Sequence, residues 1–333
     1  MTVSAERLRP WRTVGLLGAF LLANASTRPV VRYDGQMAPI LRVVAASLPL
    51  LKGPYEAFGA WVDGRPCGFG LSRHHVVSSR AVVVSLTTSA VDAGQDGSLG
   101  GPGKLEIDTT ARLIAAMSDL AATQGVVSLG TAIPDDSPFA PVFERSGFRA
   151  VVREHSYTRA PRPAPEPSQI PCMRLQQPAD AWDIFQLYRA ITPAAVQQAE
   201  GLTADDWDFS PGDRGLLGRS GGAKECHVIS GEHGLDGWID IRTDPDGAHR
   251  FELMVHPRAR CVIGPIVSFA LWRLSHYPVA PTRVLVRDSE VLVAAGLKEA
   301  GFEPDGVNRR MVKHLAVRLS AEVPSAALDQ ATS

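Results

Sequence analysis

Alternating apolar and polar positions predict three consecutive strands in the second half of the chain. The segments are ECHVISG at 225–231, GWIDIRTD at 237–244 and HRFELMVHP at 249–257. An Asp-Gly pair inside the connection DPDGAH is typical of a hairpin turn between the second and third strands. The pattern therefore predicts a three-stranded antiparallel set.

The first half has the same order of elements. AFGAWVDGRPCGFGLSR at 57–73 predicts a hairpin that turns at Asp63-Gly64, and SRAVVVSLTTSAV at 79–91 predicts the third strand. In each half a helix and then a buried strand follow. The helices are TTARLIAAMSDLAATQG and GPIVSFALWRLSHYP, and the strands are GVVSLGTAI and PTRVLVRD.

The last predicted helix of each half ends at a Gly-Phe pair. The segments are ERSGF, with Gly147, and KEAGF, with Gly301, and the two glycines are 154 residues apart. Glycine suits a helix C-terminus because it adopts the left-handed backbone conformation without strain. A strand pair is predicted after each of them.

This repetition predicts an α/β fold built from two tandem domains, each a mostly antiparallel mixed sheet flanked by helices. The proline-rich stretch APRPAPEPSQIP is typical of an extended linker. We expect a first domain over residues 1–159, a linker over 160–171, a second domain over 172–320 and a flexible tail over 321–333.

Composition is that of an ordinary globular protein, with 45% hydrophobic and 21% charged residues. Lys plus Arg is 34 and Asp plus Glu is 35, for a net charge of −1, so we expect no nucleic-acid partner. Four widely spaced cysteines form no C-x-x-C pair, which favours free thiols in the cytoplasm and no metal site. The absence of a long apolar run predicts no membrane span.

One N-terminal feature allows a different location. Three arginines precede the apolar run VGLLGAFLLA, and Ala23–Ala25 fits a signal-peptide cleavage site. The chain would then be exported. The alternative is that RLRPW forms a first strand and the apolar run a first helix.

The order of elements resembles the GCN5-related N-acetyltransferase (GNAT) fold, present twice, over residues 6–158 and 173–318. The strongest marks are the ERSGF and KEAGF segments and the unit of strand, VHP and helix. The resemblance implies acetyl-CoA as co-substrate and a small-molecule or peptide amine as acceptor. It also implies a monomer or homodimer.

In that family a turn after the fourth strand, Arg/Gln-x-x-Gly-x-Gly or Ala, holds the CoA pyrophosphate on helix N–H groups. Counting from Arg260, this chain has Ile263 and Pro265 at the glycine positions, with Gly264 between them. Either the turn binds CoA in an altered form, or it is only a helix start. The CoA-binding residues that the resemblance implies are Val255, Arg258, Arg260, Cys261, Val262, Ile263 and Gly264.

The corresponding turn of the first half departs further from the family. Asp108 and Thr110 take the glycine positions ahead of the expected helix, after the glycine-rich insertion DAGQDGSLGGPGK. An aspartate would repel a pyrophosphate. The first domain is therefore expected to be a degenerate copy, and the second to be the acetyl-CoA site.

Glu252 is the first candidate for the catalytic base, because alternation puts its carboxylate on a half-covered central strand. The alternative is a cross-strand ion pair with Arg242. Asp240 and His256 are further candidates. The tyrosine that often protonates the thiolate in this family is replaced by other residues, Phe143 and Leu297.

Two functions follow from the sequence. The first is an N-acetyltransferase whose second half is catalytic. The alternative is a non-catalytic protein that keeps the tandem fold and binds CoA or another ligand. The altered turns and the missing tyrosines favour the alternative, whereas Glu252 and the VHP strand end favour the enzyme.

Overall fold

The computed structural model describes residues 2–8, 27–32, 55–74, 79–89, 101–164, 166–167, 170–208, 223–243 and 249–316. In this part of the chain there are thirteen strands and six α-helices. The strands are β1 (Val3–Arg7), β2 (Thr27–Arg32), β3 (Tyr55–Val62), β4 (Arg65–His74), β5 (Arg80–Ser89), β6 (Ser128–Pro134), β7 (Arg149–Arg159), β8 (Met173–Leu175), β9 (Lys224–Gly231), β10 (Gly234–Thr243), β11 (His249–Val255), β12 (Thr282–Arg287) and β13 (Glu303–His314). The helices are α1 (Lys104–Thr123), α2 (Ala140–Arg145), α3 (Ala181–Ile191), α4 (Ala194–Glu200), α5 (Ile263–Leu274) and α6 (Val291–Glu299).

All the strands belong to one sheet. Its order is β1-β3-β4-β5-β6-β13-β7-β12-β11-β10-β9-β8, and β2 pairs with β5. Each half contributes the antiparallel three-stranded set that alternation predicts, β3 to β5 and β9 to β11. The predicted fold class, a mostly antiparallel mixed sheet with helices, repeated twice, is confirmed.

The last strand of each half pairs with strands of the other half. β7 pairs with β12 from Thr282↔Arg159 onward, and β13 pairs with β6 from Asn308↔Pro134 onward. β7 and β13 also pair with each other. The predicted strand pair after each Gly-Phe is therefore wrong, because alternation identifies a strand but not its partner. The proposed domain boundaries remain a prediction, and the sheet runs across them.

Glycines fix the local turns that the sequence predicts. Asp63 and Gly64 turn the β3–β4 hairpin with φ of 49° and 76°. Gly147 and Gly301 have φ of 92° and 82° at the ends of α2 and α6. After Gly147, the Phe148 N–H donates to the Phe143 carbonyl at 3.0 Å, which closes the helix end and directs the chain into β7.

The candidate signal peptide, with its cleavage site at Ala23–Ala25 and its alternative helix, lies outside the described residues. Just before it, β1 pairs antiparallel with β3 from Val3↔Val62 to Arg7↔Phe58. A first strand is therefore present at Val3–Arg7, which includes only Arg7 of RLRPW, and residues 9–11 lie outside the described residues. The DPDGAH turn is also outside the described residues.

Helices cover the sheet on opposite faces in the second half. α5 and α6 bury the face that carries Phe251 and Leu253, whereas α3 packs on the other face against Met254 and Trp238. Full burial of one such side chain stabilises the fold by about 1.5–3 kcal/mol. Because side chains alternate along β11, Glu252 points to the α3 side.

The sheet opens at two places where neighbouring strands run parallel. β5 and β6 pair only over Arg80↔Ser128 to Val82↔Gly130. β11 and β12 pair only at His249↔Thr282 and Arg250↔Arg283 and then diverge. In the described part of the sheet, residues 251–255 therefore have a strand partner on one side only.

Candidate active site

The gap between β11 and β12 contains a cavity of about 120 Å³. Residues 251–254 of β11 line one side, and Leu285, Arg287 and Glu290 line the other. The gap exists because the parallel pairing stops after Arg250. It is open, so the residues around it leave room for a narrow chain or a small polar group.

Glu252 lines this cavity without a partner. Among the described residues, no side chain forms a hydrogen bond or an ion pair with its carboxylate. The side chain reaches water by way of the cavity, but the surrounding protein limits its hydration and raises its pKa. The charge of Arg242 opposes that shift, and the charge of Asp240 adds to it.

The cross-strand ion pair expected for Glu252 is not present. Arg242 instead donates from Nε, at 2.9 Å, and from Nη2 to Oδ2 of Asp240, two positions away on β10. Asp240 is the residue directly opposite Glu252 in the β10–β11 register. The arginine therefore neutralises Asp240 and leaves the Glu252 carboxylate available.

Asp240 itself is buried, with 2% of its surface exposed. Its Oδ2 takes the Arg242 pair and lies 3.9 Å from Lys224 Nζ, whereas its Oδ1 has no hydrogen-bond partner. Opposite residues of an antiparallel pair have Cβ atoms about 4.5–5.5 Å apart. Asp240 and Glu252 thus form an acidic pair on one face of the sheet.

The same cavity continues into a wider cleft of about 340 Å³ that both halves line. The first half contributes the ends of β4, β5 and β6, including Arg73, Arg80 and Thr131. The second half contributes β9 to β11, α4 and the turn that holds Trp207. The first half therefore closes one side of this cleft.

The buried carboxylate of Glu200 binds three side chains of the second half beside this cleft, and its backbone carbonyl contacts the first half. Glu200, 6% exposed, accepts from the Tyr188 hydroxyl at 2.6 Å, from Arg287 Nη2 at 2.8 and 3.0 Å, and from Arg310 Nη1 at 2.8 Å. Arg80 of the first half donates to its backbone carbonyl at 2.9 Å. Burial alone would raise the pKa of Glu200, but the two guanidinium groups and these hydrogen bonds hold it below its ordinary value.

His256 lies at the end of β11 and does not join Glu252. Its Nδ1 accepts from the Arg258 N–H at 3.3 Å, and it caps the 3₁₀ turn Pro257–Val262. Partial burial lowers its pKa, and the charge of Arg258 adds to that effect. Four residues at about 3.3 Å each separate it from Glu252 along the strand.

The helical turn that should hold CoA begins directly after β11, and Gly264 lies in the first turn of α5. Arg260, Cys261 and Gly264 are exposed there, and a Cβ at Gly264 would meet open space. Val262 is half-buried and packs against the core. Arg258 donates from Nε to Asp236 at 2.8 Å.

Val255 and Ile263 have a different role, because both side chains are buried in the core of the second half. Ile263 packs against Gly296 of α6, where an added Cβ would lie 2.5 Å from Ile263 Cγ2. Of the seven predicted binding residues, these two can offer only backbone groups. The turn presents an exposed arginine, Arg260, and an exposed glycine, Gly264, and lacks the family's glycine pair.

The corresponding helix of the first half begins earlier than the sequence predicts. α1 starts at Lys104, so Asp108 and Thr110 lie inside the helix and not ahead of it. Gly101 and Gly103 immediately precede it, in the order Gly-Pro-Gly. That spacing was the missed signal.

This glycine pair does not give an open anion site. The Glu106 carboxylate already accepts from the Gly103 N–H at 2.8 Å, at the end of the helix where a phosphate would bind. Its other oxygen is buried without a partner. A second anion there would meet like charge.

Other chemistry is limited in the part of the chain that the structure describes. Those residues contain no group of three or more His, Cys, Asp or Glu side chains that could hold a metal ion. Cys67 and Cys226 are buried, Cys172 and Cys261 are exposed, and all four are free thiols. No helix among them is both long and apolar enough to cross a bilayer.

Comparison with known proteins rests on structure. No family model and no curated protein matches the chain. A tandem GNAT protein from the clavulanic acid biosynthesis pathway, solved without acetyl-CoA, is 14% identical with a TM-score of 0.53 and covers 94% of this chain and 98% of its own. A GNAT from Sphaerobacter thermophilus is 14% identical with a TM-score of 0.52 and covers 94% and 95%.

At such low identity a structural likeness establishes the fold, and activity has to be argued from the site. Both matches span nearly the whole of this chain and of the matched chain. Both are GNAT proteins, as the sequence resemblance implies. The chain therefore has the tandem fold of the GCN5-related N-acetyltransferases.

Proposed function

We propose that the protein is an N-acetyltransferase that transfers an acetyl group from acetyl-CoA to a primary amine. The observation that carries this proposal is Glu252, a carboxylate without a partner beside an open gap between two diverging strands. The second half would perform the reaction. The first half would close the acceptor side of the cleft.

Bound acetyl-CoA would supply a thioester whose carbonyl carbon accepts the amine and whose thiolate leaves. Glu252 would take the proton from the incoming ammonium, and its raised pKa suits that role near neutral pH. Backbone N–H groups along the free edge of residues 251–255 would polarise the carbonyl. Arg260 and the first turn of α5 would hold the phosphates.

A second candidate is a tandem GNAT protein that binds CoA or another ligand without catalysis. Two observations favour it. The buried Ile263 occupies a family glycine position and packs on Gly296. Leu297 stands where a tyrosine would donate a proton, and it is fully buried.

Titration calorimetry with acetyl-CoA separates these candidates from a protein that does not use CoA. We expect micromolar to millimolar binding, weakened by Arg260→Ala. Glu252→Gln should keep binding but slow acetyl transfer to a panel of primary amines by about 10²-fold or more. Glu299→Gln, an exposed carboxylate outside the cleft, is the matched control.

Each failure has its own meaning. Binding of acetyl-CoA in the calorimeter without acetyl transfer to any amine would support the second candidate, the non-catalytic binding protein. Full turnover in Glu252→Gln would remove Glu252 as the base. A lack of binding at millimolar acetyl-CoA would refute the acetyltransferase and would leave only the protein that binds another ligand.

The proposal includes the cellular location, the oligomeric state and the acceptor of the protein. We expect a cytoplasmic protein, because four free cysteines suit a reducing compartment. We expect it to act as a monomer or a homodimer on a small molecule or a peptide amine.

A further inference from the structure

The charges around the wider cleft are almost all paired within the protein. Arg242 pairs with Asp240, Arg287 with Glu200, Arg310 with Glu154 and Glu200, Arg80 with Asp206, and Arg283 with Asp305. Lys224 and Arg250 also have interactions. Glu290 accepts from the Arg287 N–H at 2.9 Å, and Asp208 is exposed at the rim.

Apart from the exposed Asp208, two charged side chains that line the cleft are exceptions, and they have opposite signs. Among the described residues, neither Glu252 nor Arg73 has a hydrogen bond or an ion pair. Glu252 lies on β11 of the second half, and the half-buried Arg73 lies near the end of β4 in the first half. Glu252 is exposed to the cavity and Arg73 is half-buried, and an unpaired charge that lines a cleft favours a ligand group of opposite charge.

Buried polar atoms without partners also collect in this cleft. Asp240 Oδ1 and Glu154 Oε2 are acceptors beside the Glu252 cavity, and both residues are more than nine-tenths buried. Thr131 Oγ1, on the first-half wall, and the donor Trp207 Nε1 also lack hydrogen-bond partners and belong to residues that line the cleft. Buried polar groups are normally hydrogen-bonded, so atoms left over around a cavity indicate a bound polar molecule.

The shape and aromatic surface of the cleft indicate a small ligand. Its volume of about 340 Å³ is at the lower end for small-molecule sites. Tyr188 and Trp207, with ring centroids 5.7 Å apart, line the cavity of Glu252 and give it an aromatic wall.

We propose that this cleft binds a small zwitterion that carries a primary ammonium and an anionic group. The ammonium lies against Glu252 and Asp240 Oδ1, and the anionic group lies against Arg73 on the first half. This inference rests on the proposed function and specifies its acceptor as an amino-acid-like molecule. It also assigns the first half a binding role, because the site is incomplete without Arg73.

The test uses the full chain and needs no acetyl-CoA. The probes are unbranched ω-amino acids from glycine to 8-aminooctanoate, each compared with the alkylamine and the alkanoate of equal chain length. Binding is measured at pH 8 and constant ionic strength by titration calorimetry and by thermal stabilisation. We expect at least one ω-amino acid to bind about tenfold or more tightly than either matched compound, because two charge-assisted contacts replace one.

Variants separate the two ends of the site. Arg73→Gln should lower the affinity for that ω-amino acid to the affinity for the matched alkylamine. Glu252→Gln should lower it to the affinity for the matched alkanoate. Arg65→Gln, an exposed arginine at the other end of β4, is the control and should bind normally.

Three outcomes would overturn the proposal. The first is that no ω-amino acid binds saturably. The second is that the alkylamine binds as tightly as the ω-amino acid of equal chain length, and the third is that Arg73→Gln leaves binding unchanged. Selective binding without acetyl transfer would support the zwitterion site and refute the acetyltransferase. Acetyl transfer without this selectivity would do the reverse.

Discussion

The buried carboxylate of Glu200 is the centre of an ion-pair network in the second half, beside the cleft. It holds Tyr188, Arg287 and Arg310 at 2.6–3.0 Å and is 6% exposed. Glu200→Gln keeps the size of the side chain but removes its charge. Its amide hydrogens would then face guanidinium donors.

The expected cost is about 3 kcal/mol in the free energy of unfolding. Breaking a buried pair by removing one partner typically costs 3–5 kcal/mol, because the other charge stays buried. The lower end applies here, since Arg310 keeps Glu154 at 3.0 Å. At about 2 °C per kcal/mol for a chain of this size, the melting temperature should fall by about 6 °C.

Urea unfolding and calorimetry measure this change. Glu144→Gln is the matched control, because Glu144 is 53% exposed and lies 3.6 Å from Arg309, a surface pair of little value. A loss in Glu200→Gln no larger than in Glu144→Gln would refute the reasoning. It would mean that Arg287 and Arg310 find other partners at no cost.

The penalty should also depend on pH with a definite sign. The pKa of Glu200 in the folded protein is below its ordinary value of 4.5. Its charge therefore stabilises the fold above that value, and the contribution is lost as pH falls through the folded pKa. The difference between wild type and Glu200→Gln should be constant from pH 6 to 8 and should shrink in acid.

Two further predictions concern the second half. Burial raises the pKa of Glu290 to about 7, so between pH 4.5 and 7 the folded state binds a proton that the unfolded state has lost. The free energy of unfolding should therefore fall by about 3 kcal/mol as pH rises through that window. Glu290→Gln should remove this loss between pH 5 and 8. An equal dependence of the unfolding free energy on pH in wild type and variant would contradict this prediction. Gly296→Ala should cost about 1–3 kcal/mol through its 2.5 Å contact with Ile263, whereas Gly264→Ala, facing open space, should not destabilise the protein. Equal stabilities of the two alanine variants would contradict the helix contact.

The sequence predicted the features that depend on near neighbours. The hairpin at Asp63-Gly64 and the helix ends at Gly147 and Gly301 follow from the backbone freedom of glycine. The three strands of the second half follow from alternation. These local rules were sufficient for the fold class and for placing Glu252 on β11.

Features that depend on distant partners were not predictable in this way. β13 pairs with β6, about 170 positions earlier, and no local pattern records that choice. Glu200 meets Arg287 and Arg310 from 87 and 110 positions away. Arg242 pairs with Asp240 two positions along its own strand, so the alternative role of Glu252, an ion pair with Arg242 between β10 and β11, was wrong.

The first-half helix shows a different limit. The glycine-rich stretch before it has the composition of a loop, so the helix was expected to begin near Thr109, whereas it begins at Lys104. Glu106 stabilises that earlier start by accepting from the Gly103 N–H. The signals are the Gly-Pro-Gly stretch at 101–103 and the capping glutamate three positions after its last glycine.

The exchange of terminal strands has a consequence for how this chain is made. β6 is complete at Pro134, but β13, its neighbour in the sheet, ends only at His314, about 180 residues later. At about 5–20 residues per second on the ribosome, that strand waits with an unpaired edge for on the order of ten to forty seconds. An open edge is a template for aggregation. Nascent chains of this protein should therefore depend on chaperones until the last strand emerges.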